Sequence, residues 1–348
     1  MSIRKFQLVA VGVLLIVMTC ACGSSSSETV PTQTKMPVES ATVAPSVDSN
    51  AIQMSATKRT GEIFAFASDR DGNLEIYTAR VNGNGVERLT TNEAADRWPA
   101  FSPDGAYIAF SSERTGNWAT FIMRVDGTGL QQVSGVNDSD DKYPTFSPDG
   151  GLLAIVRDEA QLVLIDLADD TTERIIHEGN FGRAFWSPDG TYILVSDSDG
   201  HEGTTVYLDG TSQGTSLSFP CRAERDDNHA WTAYVIEAGS AGASAFGDVL
   251  VEPCTRKSRK NDLGGGAYMF ATRFDGSEVR TIIHFQDFIA VGFPAPSPDG
   301  KRMIYTRQAG DMVETRELLL LDLLDPPARG QFGEQLTKNK FIDTDPAW

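Results

Sequence analysis

A pentapeptide that recurs along the chain constrains the fold most. Phe101-Ser102-Pro103-Asp104-Gly105, Phe146-Ser147-Pro148-Asp149-Gly150 and Trp186-Ser187-Pro188-Asp189-Gly190 are nearly identical, and Pro296-Ser297-Pro298-Asp299-Gly300 repeats them without the aromatic. Proline presets the first turn angle, aspartate accepts a local backbone hydrogen bond, and glycine takes positive φ. Each copy therefore joins two short antiparallel strands. A strand-like run follows each turn: Tyr107 to Phe110, Leu152 to Val156, Tyr192 to Val195, Met303 to Tyr305. A charged or glycine-rich loop and a third apolar run come next, such as Phe121 to Met123 or Leu162 to Ile165. A tight turn (Asn82-Gly83, Asp126-Gly127, Asp209-Gly210, Asp275-Gly276) then leads to a fourth short run: Arg88 to Thr90, Gln132 to Ser134, Arg174 to Ile176, Arg280 to Ile283, Gln335 to Thr337.

Four strands and three turns per unit, with no helical period, are the pattern of a β-propeller blade. The turn serines at 102, 147, 187 and 297 lie 45, 40 and 110 residues apart. The last gap holds two units, the second degenerate with its first strand near Trp231 to Ile236. Residues 61–90 begin in the middle of a unit, with Ile63 to Phe66 matching Ile108 to Ser111. The strand missing there is supplied by Asp343-Thr344-Asp345-Pro346-Ala347-Trp348, which matches Asp96-Arg97-Trp98-Pro99-Ala100-Phe101. The expected fold is thus all-β, a six-bladed β-propeller over 61–348 with ring closure by the C-terminal strand and about 48 residues per blade. Closure removes exposed sheet edges.

The repeats are similar to those of the TolB β-propeller family, whose namesake is a periplasmic protein of the Tol–Pal cell-envelope system. The stretch Phe66-Ala67-Ser68-Asp69-Arg70-Asp71-Gly72-Asn73-Leu74-Glu75-Ile76-Tyr77 and the Ser-Pro-Asp-Gly turns carry the resemblance, which covers 61–348. It implies the fold, and it implies that the channel-mouth face docks a partner. TolB chains of that system carry an α/β domain before the propeller; here the preceding segment reads as a tether, so a Tol–Pal role does not carry over.

The N-terminus reads as a targeting segment. Arg4 and Lys5 precede an apolar core from Leu8 to Met18, too short for the ~20 residues that span a bilayer. Thr19-Cys20-Ala21-Cys22-Gly23 resembles the bacterial lipobox, which implies a signal peptide over 1–21, cleavage after Ala21 and a diacylglycerol on Cys22. An ordinary signal peptide or an uncleaved anchor are the alternatives. Residues 22–60, rich in Ser, Thr, Pro, Val and Ala, read as a lipid-anchored disordered tether. The expected location is a bacterial membrane, facing outward on the periplasmic or extracellular side.

With 30 basic against 48 acidic residues the net charge is −18, which argues against a nucleic-acid partner, since phosphate binding needs clustered Lys and Arg. The loops after second and fourth strands share one face of an up-and-down blade. Asp96, Asp138, Asp140, Asp141, Asp343 and Asp345 precede innermost strands there, and Arg70, Arg114, Arg157 and Arg307 follow second strands. They read as arginine–aspartate pairs bracing adjacent blades, as a charged rim, or as both. Trp98, Tyr143 and Phe293, each before a proline, and Phe181 and Phe341 in equivalent loops, read as packing between blades or as a protein hot spot. The partner-binding face expected from these readings comprises Arg70, Asp96, Trp98, Arg114, Asp141, Tyr143, Arg307 and Asp345, and its ligand is an envelope protein or peptide.

The chain is therefore read as a binding module and a monomer, with no cofactor and no catalytic residue. The alternative is a metal-dependent, carbohydrate-directed lyase or hydrolase of propeller type. Its metal would sit among His177, His201, His229 and His284, which lack a compact ligand motif. Gly210-Thr211-Ser212-Gln213-Gly214 matches the pattern of a hydrolase nucleophile elbow but falls in a hairpin turn, where that chemistry has no strand-to-helix support. Cys221 and Cys254, in an oxidising compartment, read as a disulfide bracing the irregular fifth blade, or as two buried thiols. Arg256-Lys257-Ser258-Arg259-Lys260 is a basic run expected in an exposed loop.

Overall fold

The structure is a computed structural model that describes residues 62–135, 138–168, 172–197, 203–215, 234–236, 249–256, 266–273, 280–285, 291–308, 315–323, 325, 327 and 331–348. From 234 to 285, and at 291–293, it describes backbone alone. The leader, Cys22, the tether, Cys221, His201, His229 and 257–260 lie outside the described residues.

The described strands form six four-stranded antiparallel sheets. The first joins both ends of the chain, in the order β24 (Asp343–Ala347), β1 (Ile63–Ser68), β2 (Glu75–Arg80), β3 (Glu87–Arg88). The others follow the chain: β4 (Asp96–Phe101), β5 (Tyr107–Ser112), β6 (Ala119–Arg124), β7 (Gln131–Gln132); then β8 (Asp141–Phe146), β9 (Leu152–Arg157), β10 (Gln161–Asp166), β11 (Thr172–Glu178). Next come β12 (Phe181–Trp186), β13 (Tyr192–Asp197), β14 (Gly203–Tyr207), β15 (Ser212–Thr215), and β16 (Tyr234–Ile236), β17 (Val249–Arg256), β18 (Gly266–Arg273), β19 (Arg280–Phe285). The sixth sheet is β20 (Val291–Pro296), β21 (Arg302–Gln308), β22 (Arg316–Asp322), β23 (Glu334–Gln335). Innermost strands meet their neighbours in turn, β24 with β4, β4 with β8, β8 with β12, β12 with β16, β16 with β20 and β20 with β24.

Period-two alternation divides each strand between two cores. In β1, Phe64 and Phe66 pack on Ile304, Leu318 and Leu336 of the sixth sheet, whereas Ala65 and Ala67 pack on Ile108, Phe110 and Phe121 of the second. Both faces are buried, which is why these strands read as continuous apolar runs. Small residues on one face and rings on the other let sheets interdigitate at close-packed density. Emptying such a site, as in Phe110→Ala, costs about 3–5 kcal/mol.

The Ser-Pro-Asp-Gly turns share one geometry. Ser102 Oγ accepts from the Tyr107 amide at 2.9 Å and donates to Asp104 Oδ1 at 2.6 Å, and the Ala106 amide donates to the same Oδ1 at 2.9 Å. Gly105 closes the turn at φ 74°, a conformation that favours glycine. The other three copies repeat the serine–aspartate bond at 2.6, 2.7 and 2.6 Å.

Outer strands are shorter than the fourth runs suggest: β3, β7 and β23 have two residues each. A hydroxyl ends each ladder. The amides of Ile76, Thr120 and Leu318 donate to Thr90, Ser134 and Thr337 side chains at 2.9, 3.1 and 2.9 Å. The run expected at Trp231 to Ile236 is strand only from Tyr234, its first three residues lying outside the described set.

Candidate functional site

Arg70, Arg114, Arg157 and Arg307 pair within their own sheets, correcting the expectation that these arginines brace adjacent blades. Arg114 Nη2 meets Asp96 at 2.8 Å and Arg70 Nη2 meets Asp343 at 2.8 Å, each pair tying the loop after a second strand to the innermost strand of the same sheet. Ser112 and Ser68 steer these side chains by accepting from the arginine Nε at 2.8 and 2.9 Å. The guanidiniums lie over Phe110 and Phe121, and over Phe66 and Tyr77, a contact that favours a flat cation. Arg157 closes the third latch by a two-pronged bond to Asp141 at 2.7 and 2.9 Å. It is the last residue of β9 and sits directly across from Asp141. Arg307, also within its strand, bonds Glu317 instead. Its cross-strand partner is Val291.

Asp96, Asp141 and Asp343 are fully buried. Burial raises the Asp96 carboxyl above the ordinary range despite hydrogen bonds and Arg114, while its bond to Asp141 raises Arg157. Asn92 and Asn339 complete two of the latches, donating to Asp96 and Asp343 at 2.7 Å each. The sequence carried that signal as Leu89-Thr90-Thr91-Asn92 and Leu336-Thr337-Lys338-Asn339.

Two residues beyond the latch, the innermost strands bulge. Trp98, Tyr143 and Asp345 stand at φ 52°, 57° and 50°, and pairing shifts register around each of the first two. Bulky residues at positive φ cost of order 1–3 kcal/mol each, which the surrounding ladder must offset. The bulge turns these side chains toward a common centre. Trp98 packs tilted against Tyr143 and Trp118, with ring centroids 4.5 and 4.8 Å apart. Arg97 lies over Trp98 and bonds Asp345 at 2.9 and 3.3 Å. Arg183, at the matching bulge of β12, lies over Tyr143 with Asp345 at 4.0 Å. A belt thus links side chains of four sheets. Arg316 approaches from the sixth, reaching Thr344 Oγ1 at 3.4 Å, its basicity lowered by burial and by Arg97.

Of the expected face, Asp96, Asp141, Asp345 and Trp98 are buried and Arg70, Arg114, Arg307 and Tyr143 half-buried, all engaged inside the protein. The groups exposed on the same loops are Asp71, Glu93, Glu113, Asp138, Asp158 and Glu159, with Lys338 and Lys340 beside β24. Apart from Asp138, these acids carry no distinguishing sequence signal, because acidic loops are common in a chain this negative.

Phe181 opens β12 instead of lying in a loop, and Phe341 precedes β24. His177 lies within β11 and packs tilted against Phe181, with ring centroids 5.8 Å apart. His284 lies within β19. No group of three potential metal ligands occurs among the described residues. Cys254 lies in β17 opposite Tyr268. Ser212 opens the outer strand β15, after a hairpin turn held by Asp209 accepting from Thr211, so it is no nucleophile elbow.

Four-stranded antiparallel sheets that meet through their innermost strands define a β-propeller. The family model for the TolB beta propeller domain matches residues 49–234, and the chain belongs to that family. Its fold is similar to TolB from Acinetobacter baumannii (15% identity, TM-score 0.59, 82% of this chain and 66% of that one). It is also similar to a putative TolB from Agrobacterium tumefaciens (19%, 0.53, 79% and 87%) and to hydrazine synthase from Kuenenia stuttgartiensis (15%, 0.59, 91% and 50%). The chain thus spans less than two thirds of the Acinetobacter protein and half of the synthase. No curated protein matches it in sequence.

Proposed function

We propose that the chain is a bacterial cell-envelope lipoprotein, anchored through Cys22, whose propeller binds a protein or peptide partner at the channel-mouth face. In this reading the six sheets are six blades of a ring closed by β24, and the protein is a monomer. The TolB family membership supports a protein-binding envelope role. The observation that carries the site is that the mouth arginines are neutralised internally. Arg70, Arg114 and Arg157 are latched to buried aspartates. What faces outward is a row of carboxylates, Glu113, Asp138, Asp158 and Glu159, around the Trp98–Trp118–Tyr143 cluster. Such a rim steers and selects a basic segment, while the aromatic centre supplies contact energy.

Photo-crosslinking side chains placed at Glu113 and Glu159, and at Asp104 and Asp149 on the opposite turns, test this in intact cells. A common partner captured from the first pair alone is the expected result. Equal capture from both faces, or none from the first, rejects the site. Loss of radiolabelled fatty acid on Cys22→Ala tests the anchor.

A further inference from the structure

The turns between first and second strands, and those between third and fourth, share the end of the sheets away from the mouth, here called the base. Five large apolar side chains are exposed among the described residues, and four of them stand at the base: Ile63 (41% exposed), Val86 (39%), Leu130 (46%) and Tyr207 (39%). Ile63 opens β1 opposite Arg80, the last residue of β2, and Tyr207 closes β14 opposite Tyr192, just past a Ser-Pro-Asp-Gly turn. Val86 and Leu130 come directly before β3 and β7, at matching points after Asn82-Gly83-Asn84-Gly85 and Asp126-Gly127-Thr128-Gly129. The fifth, Ile175, lies midway along the outer strand β11. None of the five stands on the mouth loops that carry Glu113, Asp158 and Glu159.

The first two sheets meet closely there. A Cβ on Gly127 would lie 3.3 Å from the Leu89 carbonyl oxygen, so the turn that leads to Leu130 seats on the first sheet, three residues from Val86. Arg80 and Arg124, the exposed last residues of β2 and β6, flank these side chains, and neither forms an ion pair among the described residues. Arg80 lies along its own turn, 3.8 Å from the point where a Cβ on Gly85 would stand, and Arg124 lies over the Tyr107 ring at 5.5 Å. The chain also enters the sheets at the base, where the Val81 amide donates to the Glu62 carbonyl at 3.0 Å. Cys22 stands about 40 residues upstream, a length that spans roughly 35 Å as a coil.

We infer that the base is a membrane-docking surface, on which the propeller rests against zwitterionic phospholipid with Ile63, Val86, Leu130 and Tyr207 at headgroup depth. The inference rests on the reading of Cys22 as a lipid anchor, which keeps a bilayer within reach, and adds to it the side of the propeller that meets that bilayer. Aliphatic side chains flanked by arginines settle at the boundary between headgroups and acyl chains, and a tyrosine ring fits there with its hydroxyl toward water. The headgroup class follows from charge. Glu62, Glu87, Asp126, Asp149, Asp189 and Asp209 are exposed at the same end of a chain whose net charge is −18, so an anionic surface repels it. A zwitterionic headgroup offers a phosphate to Arg80 and Arg124 and an ammonium to the acids. Docked in this way, the molecule holds its mouth away from the bilayer and open to a partner.

Amide hydrogen exchange of the full lipidated chain is measured in vesicles of phosphatidylethanolamine and phosphatidylcholine, and again in vesicles of phosphatidylglycerol alone. In the zwitterionic vesicles, exchange over 83–88 and 127–132 is expected to be about threefold or more slower than in the anionic ones, with 113–118 and 158–160 unchanged. Val86→Glu with Leu130→Glu should remove the difference. Equal exchange of the base in both vesicles, or slowing at the mouth instead, overturns the inference. So does slowing of the base in native membranes but not in pure lipid, which assigns the surface to a protein. Intact mass shows separately whether Cys22 carries fatty acid. If it carries none, the anchor reading fails, and the same exchange comparison is made with the chain held by an N-terminal polyhistidine on nickel-chelating lipid. The comparison of vesicles uses the wild-type protein, so it decides the question even if the double variant does not fold.

Discussion

Two groups of sheets solve the same problem differently. In the first three, the opening residue of the innermost strand is a buried aspartate, Asp343, Asp96 or Asp141, latched by an arginine of the same sheet. In the sheets that begin with β12 and β20, the same position holds Phe181 or Val291. A blade of this family therefore forms with either an ion pair or an apolar side chain at that point. The difference teaches that the aspartate serves the latch, not the blade. The latch in turn holds the loop after the second strand, and those loops carry Asp71, Glu113 and Asp158 on the proposed partner face.

Breaking one half of a latch should give the largest effect. Arg114→Leu leaves Asp96 buried without its cation and is expected to lower unfolding free energy by about 3–5 kcal/mol in urea titrations. Replacing both partners, as Asp96→Val with Arg114→Leu, puts here the residue type that Val291 supplies in the sixth sheet and should recover stability to within about 1–2 kcal/mol of wild type. A double variant as unstable as the single one would break the comparison.

The shared turns come next. Ser187→Ala removes an acceptor for the Tyr192 amide and a donor to Asp189, at an expected cost of about 1–2 kcal/mol. The same loss at Ser147 would show that latched and apolar sheets use the turn alike.

Acid sharpens the contrast further. Hydrogen bonds from Ser147 and Ser187 lower Asp149 and Asp189 below the usual carboxylate range. Their stabilisation is complete above the unfolded pKa and disappears as pH falls through the folded value. Asp96 is shifted the other way, mainly by burial. Its ionisation works against folding above the raised value, and that penalty shrinks as pH falls through the raised value toward the unfolded one. Asp189→Asn should flatten the acid limb of the stability–pH curve, whereas Asp96→Asn should remove a gain on mild acidification. The smallest effect on stability belongs to Glu113→Lys with Glu159→Lys, within about 0.5 kcal/mol, yet partner capture at the mouth should be lost.

Turns, sheet type and the kinship of the two chain ends were legible because each is a local pattern: a pentapeptide, an alternation, a matched hexapeptide. The latches were legible only as residue types. Arg70 and Asp343 are 273 residues apart, so spacing could not say whether the pair lies inside a sheet or between two. The bulges were opaque for a different reason. Residues before proline favour extended backbone, yet Trp98, Tyr143 and Asp345 take the left-handed region. That places a carboxylate where its repeats place aromatics, and the belt follows from it.

The pairing of β1 with β24 has a consequence in time. The first sheet to be started in synthesis is the last to be completed, because β24, its innermost strand, follows β1 by most of the chain. At about 5–20 residues per second, roughly 15–55 s pass between synthesis of β1 and of its partner. Throughout that interval the unpaired flank of β1 is open to pairing with another strand.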